Sequence, residues 1–288
     1  MKLAALIGYP LAHSVTPAMH AAAFGALGID ARCEKWVTPP DELPATVAKL
    51  RAPEMLGANV TVPHKEAVIP LLDRLDESAR LIGAVNCIAR AGDGALSGHN
   101  TDKYGFLRSL RESGFDPAGR PVLVLGAGGA ARAVVAGLIE AGAGSVRIAN
   151  RTPERAHALA RAFGRPVEAI EWQEESLAAA CAAVDLIVNT TPMGTARTAL
   201  AAESPLDERH FRPGVYAFDL VYNPAETPFL AAARSAGAVA VGGLDMLVYQ
   251  GAESIRLWTG REPPVDLMRE AAREALQAPG AAVIAGEG

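Results

Sequence analysis

The sequence predicts an α/β chain of two domains, the first with a mainly parallel sheet and the second doubly wound. Three observations carry that expectation. Short apolar runs alternate with longer helical stretches along the chain, the pattern of a parallel sheet covered by helices. Half of the 288 residues are hydrophobic and 20% are charged, which supports a buried core and excludes a disordered or fibrous chain. The pattern then restarts near residue 105, where a helix and a polar turn lead into a second series of strands.

In the first third, "KLAALIG" (2–8) reads as a buried strand. Its apolar run is short, and Gly8 and Pro10 interrupt it before any small-residue cleavage pattern, so it is not read as a signal peptide. "TPAMHAAAFGALG" reads as a helix, "ARCEKWVT" as a strand, "PDELPATVAKLRA" as a helix capped near Asp41, and "MLGANVTV" as a strand. "HKEAVIPLLDRLDESARLIG" (64–83) is expected to be mostly helical. "AVNCIARAGDGALSGHNTD" (84–102) reads as a hairpin turning at "AGDG".

The second series opens with the helix in "KYGFLRSLRESGFDPAGR". A βαβ unit follows in "PVLVLGAGGAARAVVAGLIEAGAGSVRIANRT". "AAVDLIVNTTPMG", "GVYAFDLVYNP" and "GAVAVGG" supply further strands, each ending in polar or glycine-rich residues. Ligands in open parallel sheets bind at such carboxyl ends. Two helices close the chain in "LDMLVYQGAESIRLWTG" and "PVDLMREAAREALQA", and the tail "PGAAVIAGEG" is expected to be poorly ordered. The boundaries expected are residues 1–104, completed by helices in 245–278, for the first domain and 105–244 for the second.

A net charge of −5 leaves no broad cationic footprint, and no apolar run reaches the roughly 18 residues of a membrane span. The expected partner is therefore a small molecule, not nucleic acid or a membrane. Cys33, Cys87 and Cys181 are far apart with no CxxC spacing, so neither a zinc site nor a disulfide framework is read, and a reducing cytoplasm fits.

"GAGGAA", Gly126 to Ala131, fits the dinucleotide fingerprint. Gly126 would make the tight turn, Gly128 would let a pyrophosphate approach, and Ala131 would allow close helix packing. Ala127, Gly129 and Ala130 complete the turn, whose amides face the phosphates at the helix N-terminus. The pattern alone is weak, and a glycine turn for close packing is the plainer reading. Its position between an apolar strand and a helix supports dinucleotide binding, in a Rossmann-type domain. The second strand ends in "NRTPER", so Asn150, Arg151 and Thr152 stand where NAD-binding units carry a carboxylate, with Arg155 one turn on. Guanidinium groups there favour a 2′-phosphate and point to NADP. Thr152 and Pro153 also read as a plain helix start.

Three stretches of the first domain are unusually polar for strand ends: "HSVTP" (13–17), "NVTVPHK" (59–65) and "GHNTD" (98–102). One face of the sheet is expected to carry Ser14, Thr16, Asn59, Thr61, Lys65, Asn86, Asn100 and Asp102 together. Such donors and acceptors suit a polyhydroxylated carboxylate. Lys65 beside Asp102 could give a proton to an alkoxide formed under hydride transfer, or take it back. Singly, each has a plain alternative: Ser14 or Thr16 as a helix cap, Asn100 and Asp102 as turn residues, Lys65 with Asp102 as a surface ion pair. His13, His64 and His99 show no HxH or HExxH spacing and read as structural or solvated, with no metal expected.

Taken with "GYPLAHSVTPAMH", "GANVTVPHK", "GAVN", "GHNTD", "GAGGAARA", "NRTPER", "NTTPMG", "DLVYNPAETPFL" and "GGLDMLVYQG", the chain up to about residue 275 resembles the shikimate dehydrogenase family. The resemblance implies a substrate domain first, an NADP domain second, and NADP-dependent reversible reduction of 3-dehydroshikimate to shikimate in aromatic amino-acid biosynthesis. It implies Lys65 and Asp102 as the catalytic pair. Ser14 and Thr16 would hold the substrate carboxylate, and Asn59, Thr61, Asn86, Asp102 and Gln250 its hydroxyls. Tyr222 would lie at the substrate edge, while Leu220, Gly243 and the "NTTPMG" turn would line the nicotinamide side. The family's usual Ser-x-Ser pair is Ser14-Val15-Thr16 here, and relatives that also oxidise quinate can carry Thr at that place. Those relatives often use NAD, against which "NRTPER" argues. The implied assembly is a monomer or a homodimer.

Overall fold

A computed structural model describes residues 1–11 and 14–277, which divide into two compact units. The first unit comprises Met1–Arg80, Ala84–Thr101 and the chain from Gln250 onward, and the second Leu81–Gly83 and Asp102–Tyr249. The expected tail "PGAAVIAGEG", residue 278 and His13 lie outside the described residues.

In the first unit, β1 (Lys2–Gly8), α1 (Thr16–Ala26), β2 (Ala31–Val37), α2 (Leu43–Lys49) and β3 (Met55–Val60) follow in turn. β4 (Arg74–Leu75), α3 (Glu77–Ile82), β5 (Cys87–Arg90) and β6 (Leu96–His99) complete the N-terminal part, α3 crossing into the second unit at Leu81. The sheet order is β2-β1-β3-β5-β6-β4. β1 pairs in parallel with β2 and β3, whereas β5 runs antiparallel to both its neighbours. The β5–β6 hairpin turns at 91–94 as the sequence predicts, with Gly94 at φ +87.

Residues 64–83 depart from the helical expectation. Only a 3₁₀ turn at Ile69–Leu71 and the short α3 are helical, because Pro70 has no N–H for an α-helical hydrogen bond and Leu72 turns extended. The stretch between them becomes edge strand β4, paired with β6. Asp76 then starts α3 by accepting the Ala79 N–H at 2.6 Å. Asp41 does not cap α2: it sits in a 3₁₀ turn, and α2 has no side-chain cap.

The second unit runs α4 (Asp102–Glu112), β7 (Pro121–Leu125), α5 (Gly129–Glu140), β8 (Ser145–Ala149), α6 (Pro153–Phe163) and β9 (Val167–Ile170). α7 (Glu174–Ala182), β10 (Leu186–Asn189), β11 (Tyr216–Asp219), α8 (Pro228–Ser235) and β12 (Val239–Val241) follow. Its sheet, β12-β11-β10-β7-β8-β9, is parallel throughout. This is the Rossmann strand order, with its reversal between β7 and β10. The period-two strand geometry divides "VLVL" between two cores. Val122 and Val124 pack with Val134, Ile148 and Phe218, and Leu123 and Leu125 with Leu177, Ile187 and Phe229. Helices on both faces explain why the strand is apolar at every position.

The last two helices are α9 (Leu244–Thr259), which crosses from the second unit to the first after Tyr249, and α10 (Val265–Gln277). In the first unit Trp258 of α9 donates its Nε1–H to Ile88 O of β5 at 2.9 Å, and α10 packs on α1. Gln250 and Ser254, one helical turn apart, are thereby buried against the strands.

Candidate active site

β7 ends at Leu125 and α5 begins at Gly129, so the glycine turn lies at the strand's carboxyl end. Gly126 takes φ +109, and a Cβ there would overlap Thr190 Oγ1. That approach joins the turn after β7 to the turn after β10, at the reversal of strand order. Thr190 donates to Leu125 O through both its N–H, at 2.9 Å, and its hydroxyl, at 2.7 Å. Gly128 is the N-cap of α5, and a Cβ on it would meet nothing within 4 Å. The helix N-terminus is therefore approachable by a bulky anion, with half-buried Ala127, Gly129 and Ala130 around it and Ala131 packed in the core.

Beyond β8, Asn150 Nδ2 donates to Thr152 O at 2.8 Å, and Thr152 is the N-cap of α6 with Pro153 following. The Thr152 hydroxyl makes no capping bond. Arg151 and Arg155 are exposed, and neither guanidinium has a hydrogen bond or ion pair among the described residues. This donor set, with no carboxylate at the strand end, fits a dinucleotide bearing a 2′-phosphate.

Asp219, the last residue of β11, is fully buried, and sequence reading assigned it no role. It accepts from Thr227 Oγ1 at 2.6 Å, Asn189 Nδ2 at 2.9 Å and the Val221 N–H at 3.0 Å. Burial raises its pKa to about 6, while Thr227, Val221 and Asn189 pull the other way. Leu220 and Tyr222 lie in the loop so anchored. Gly243 approaches that loop so closely that a Cβ would overlap Leu220 O.

In the first unit, β3, the residue before β5 and helix α9 bring three of the predicted amides together. Asn86 Oδ1 accepts the Thr101 N–H at 2.6 Å, and its Nδ2 donates to Thr101 Oγ1 at 2.9 Å and to Gln250 Oε1 at 3.2 Å. Asn59 Nδ2 donates to Ser254 Oγ at 2.8 Å and reaches Asn86 O at 3.4 Å. All five side chains are buried. Lys65 is half-buried just beyond β3, and its carbonyl accepts the Val85 N–H at 2.7 Å, one residue from Asn86. Thr61 is half-buried beside Gly8 at the end of β1. Asn100 Nδ2 donates to Ala84 O at 2.9 Å.

Ser14 and Thr16 face one another, the Ser14 hydroxyl donating to Thr16 Oγ1 at 3.1 Å. Neither is the N-cap of α1, a place taken by Val15 with no side-chain cap. Asp102, the first residue of α4, is only 6% exposed. By compact unit, Asp102 and Tyr222 fall in the second, and the other predicted substrate residues in the first.

His64 Nε2 lies 2.7 Å from Thr38 O and His99 bridges Ser97 and Asp76, so both are structural. Burial lowers fully buried His20 to about 3 and lifts the three cysteine thiols to about 12, which keeps all four neutral near pH 7. Among the described residues no group of three or more His, Cys, Asp or Glu could hold a metal ion, and no helix is long and apolar enough to cross a membrane.

Thr101, Ser254 and Asp219 are the members that sequence reading missed. Ser254 was within reach of helix periodicity, four residues after Gln250.

A nicotinamide, when bound, would supply hydride chemistry, and the buried amides are the donors and acceptors that suit a small hydroxylated molecule. The class so defined is a nicotinamide-dinucleotide-dependent oxidoreductase of a small polar substrate. Comparison with known proteins narrows it. The model for the shikimate dehydrogenase substrate binding domain matches residues 6–88, that for shikimate/quinate 5-dehydrogenase residues 110–220, and that for the shikimate 5'-dehydrogenase C-terminal domain residues 243–273. The NADP(+) shikimate dehydrogenase of Moorella thermoacetica is 50% identical over 96% of this chain and 94% of its own. The shikimate 5-dehydrogenase of Thermus thermophilus, solved with NADP(H) and shikimate, superposes with a TM-score of 0.86 at 43% identity, covering 96% of this chain and 100% of that one. A quinate dehydrogenase from Corynebacterium glutamicum, solved with NAD, gives 0.87 at 33% identity over 95% and 99% of the two chains. The chain belongs to the shikimate dehydrogenase family.

Proposed function

We propose that this chain catalyses the reversible NADP-dependent reduction of 3-dehydroshikimate to shikimate, within aromatic amino-acid biosynthesis in the cytoplasm, as a monomer or homodimer. The observation that carries this reading is the buried set of Asn59, Asn86 and Gln250 in a member of this family. Their amides suit the hydroxyls of a small ring, and the paired hydroxyls of Ser14 and Thr16 suit its carboxylate. Thr61 and Tyr222 complete the substrate contacts.

NADP, when bound, supplies or accepts the hydride; Gly126–Ala130 and the Asn150, Arg151, Thr152 and Arg155 group would hold it, with Leu220 and Gly243 toward the nicotinamide. The residues of the chain handle the proton. Lys65 gives it to the oxygen that becomes the new hydroxyl and takes it back in reverse, and Asp102 is the second member of the catalytic pair. Positioned acid–base transfer of this kind contributes about 10²- to 10⁴-fold in rate. The test is product analysis: shikimate with NADP⁺ yields 3-dehydroshikimate and NADPH in equal amounts, and absence of that ketone refutes the reading.

Thr16 favours a second reading, a quinate/shikimate dehydrogenase. The residue is buried at the start of α1, so its methyl is held beside the paired hydroxyls, where it can alter which ring is accepted.

A further inference from the structure

The side-chain amide of Asn59 is used at one end only. Nδ2 donates to Ser254 Oγ at 2.8 Å and reaches Asn86 O at 3.4 Å, while Oδ1 is buried and accepts no hydrogen bond. The two ends of an Asn amide are distinguished by their partners, so the environment fixes which one faces the network. Turned over, Oδ1 would face two groups with no proton to give. Asn86 O is a carbonyl, and the single hydroxyl proton of Ser254 already has two acceptors in reach, Gln250 O at 2.9 Å one helical turn back along α9 and Thr101 Oγ1 at 3.3 Å. Ser254 is fully buried beneath this network.

We infer that Ser254 is a positioning residue: it holds the Asn59 amide with Nδ2 inward, so that Oδ1 is presented as an acceptor for one hydroxyl of the substrate. The inference rests on the proposed shikimate reading and adds a direction to it. At this contact the substrate hydroxyl donates and the protein accepts. A ligand carrying a carbonyl or ether oxygen at that ring position has nothing to donate and is disfavoured. Ser254 thereby selects a hydroxyl at that carbon although it touches no substrate.

The test compares wild type, Ser254→Ala, Ser254→Cys and Asn59→Ala on shikimate and on three analogues, each lacking one ring hydroxyl. Thermal melts establish folding. Ser254→Cys keeps the side chain's size with a poorer acceptor and serves if Ser254→Ala does not fold. The expected result is a loss of about tenfold in kcat/KM on shikimate for the Ser254 variants, the scale of one hydrogen bond, carried mainly by KM. That loss should vanish on one analogue only, the same analogue on which Asn59→Ala has least effect. Calorimetric binding of shikimate should weaken to match. An equal loss on shikimate and all analogues, or no loss, overturns the role of Ser254. Failure of wild type itself to turn over shikimate would instead remove the reading on which the inference rests.

Discussion

Asn189 Nδ2 donates to Asp219 Oδ1 at 2.9 Å between the last residues of two paired strands, both side chains fully buried. The other carboxylate oxygen accepts from Thr227 at the start of α8, so one side chain anchors both ends of the loop that contains Leu220 and Tyr222. A buried carboxylate in that place makes stability depend on pH in a definite sense. The folded pKa is raised from 3.8 to about 6, so the folded state binds the proton more tightly. The resulting stabilisation is full below about pH 4 and is lost as pH rises through about 6, amounting to at most about 3 kcal/mol. Urea unfolding of wild type and Asp219→Asn should show wild type losing ground against the variant across that window. A difference independent of pH would contradict the assignment.

Gly126→Ala should weaken NADP binding by about tenfold or more, because the new methyl meets Thr190 at a backbone conformation that alanine resists. Titration calorimetry with NADP⁺ measures this directly, and unchanged affinity would show that the turn does not seat the cofactor.

Arg151→Ala and Arg155→Ala should each cost NADP⁺ about 1.5–3 kcal/mol of binding, the scale of hydrogen bonds to a charged group. Turnover with NAD⁺, which lacks the 2′-phosphate, should barely change. Equal losses with both cofactors would place the arginines elsewhere.

Lys65→Ala should lower kcat by about 10²- to 10⁴-fold, with a modest change in shikimate KM. Steady-state kinetics decide it, and near-normal turnover would dismiss Lys65 as the proton-transfer group.

The glycine turn was legible because its chemistry is local: strand, glycines and helix follow within one βαβ unit, and Gly126 shows the close approach that its residue type implies. The parallel sheet was legible for the same reason, since "PVLVL" can be apolar throughout only when both faces are covered. Residues 64–83 were not. Their apolar spacing suits a helix, but Pro70 and the pairing of Leu75 with Gly98 divide the stretch. The polar stretches pointed to Asn59 and Asn86 directly, whereas Gln250 came only from the family resemblance. Ser254 escaped because its partner Asn59 lies 195 positions away, and only the packing of α9 on the strands brings them together. Asn100, also read as a site candidate, donates its Nδ2 to the Ala84 carbonyl.

The most direct test of the account is the initial rate of cofactor reduction for shikimate and quinate, each paired with NADP⁺ and with NAD⁺. The account predicts fast turnover of shikimate with NADP⁺ and far slower turnover with NAD⁺. Turnover of quinate with NADP⁺ would make Thr16 the residue that broadens substrate choice. A preference for quinate with NAD⁺ would contradict both the cofactor assignment to Arg151 and Arg155 and the shikimate reading of the buried amides.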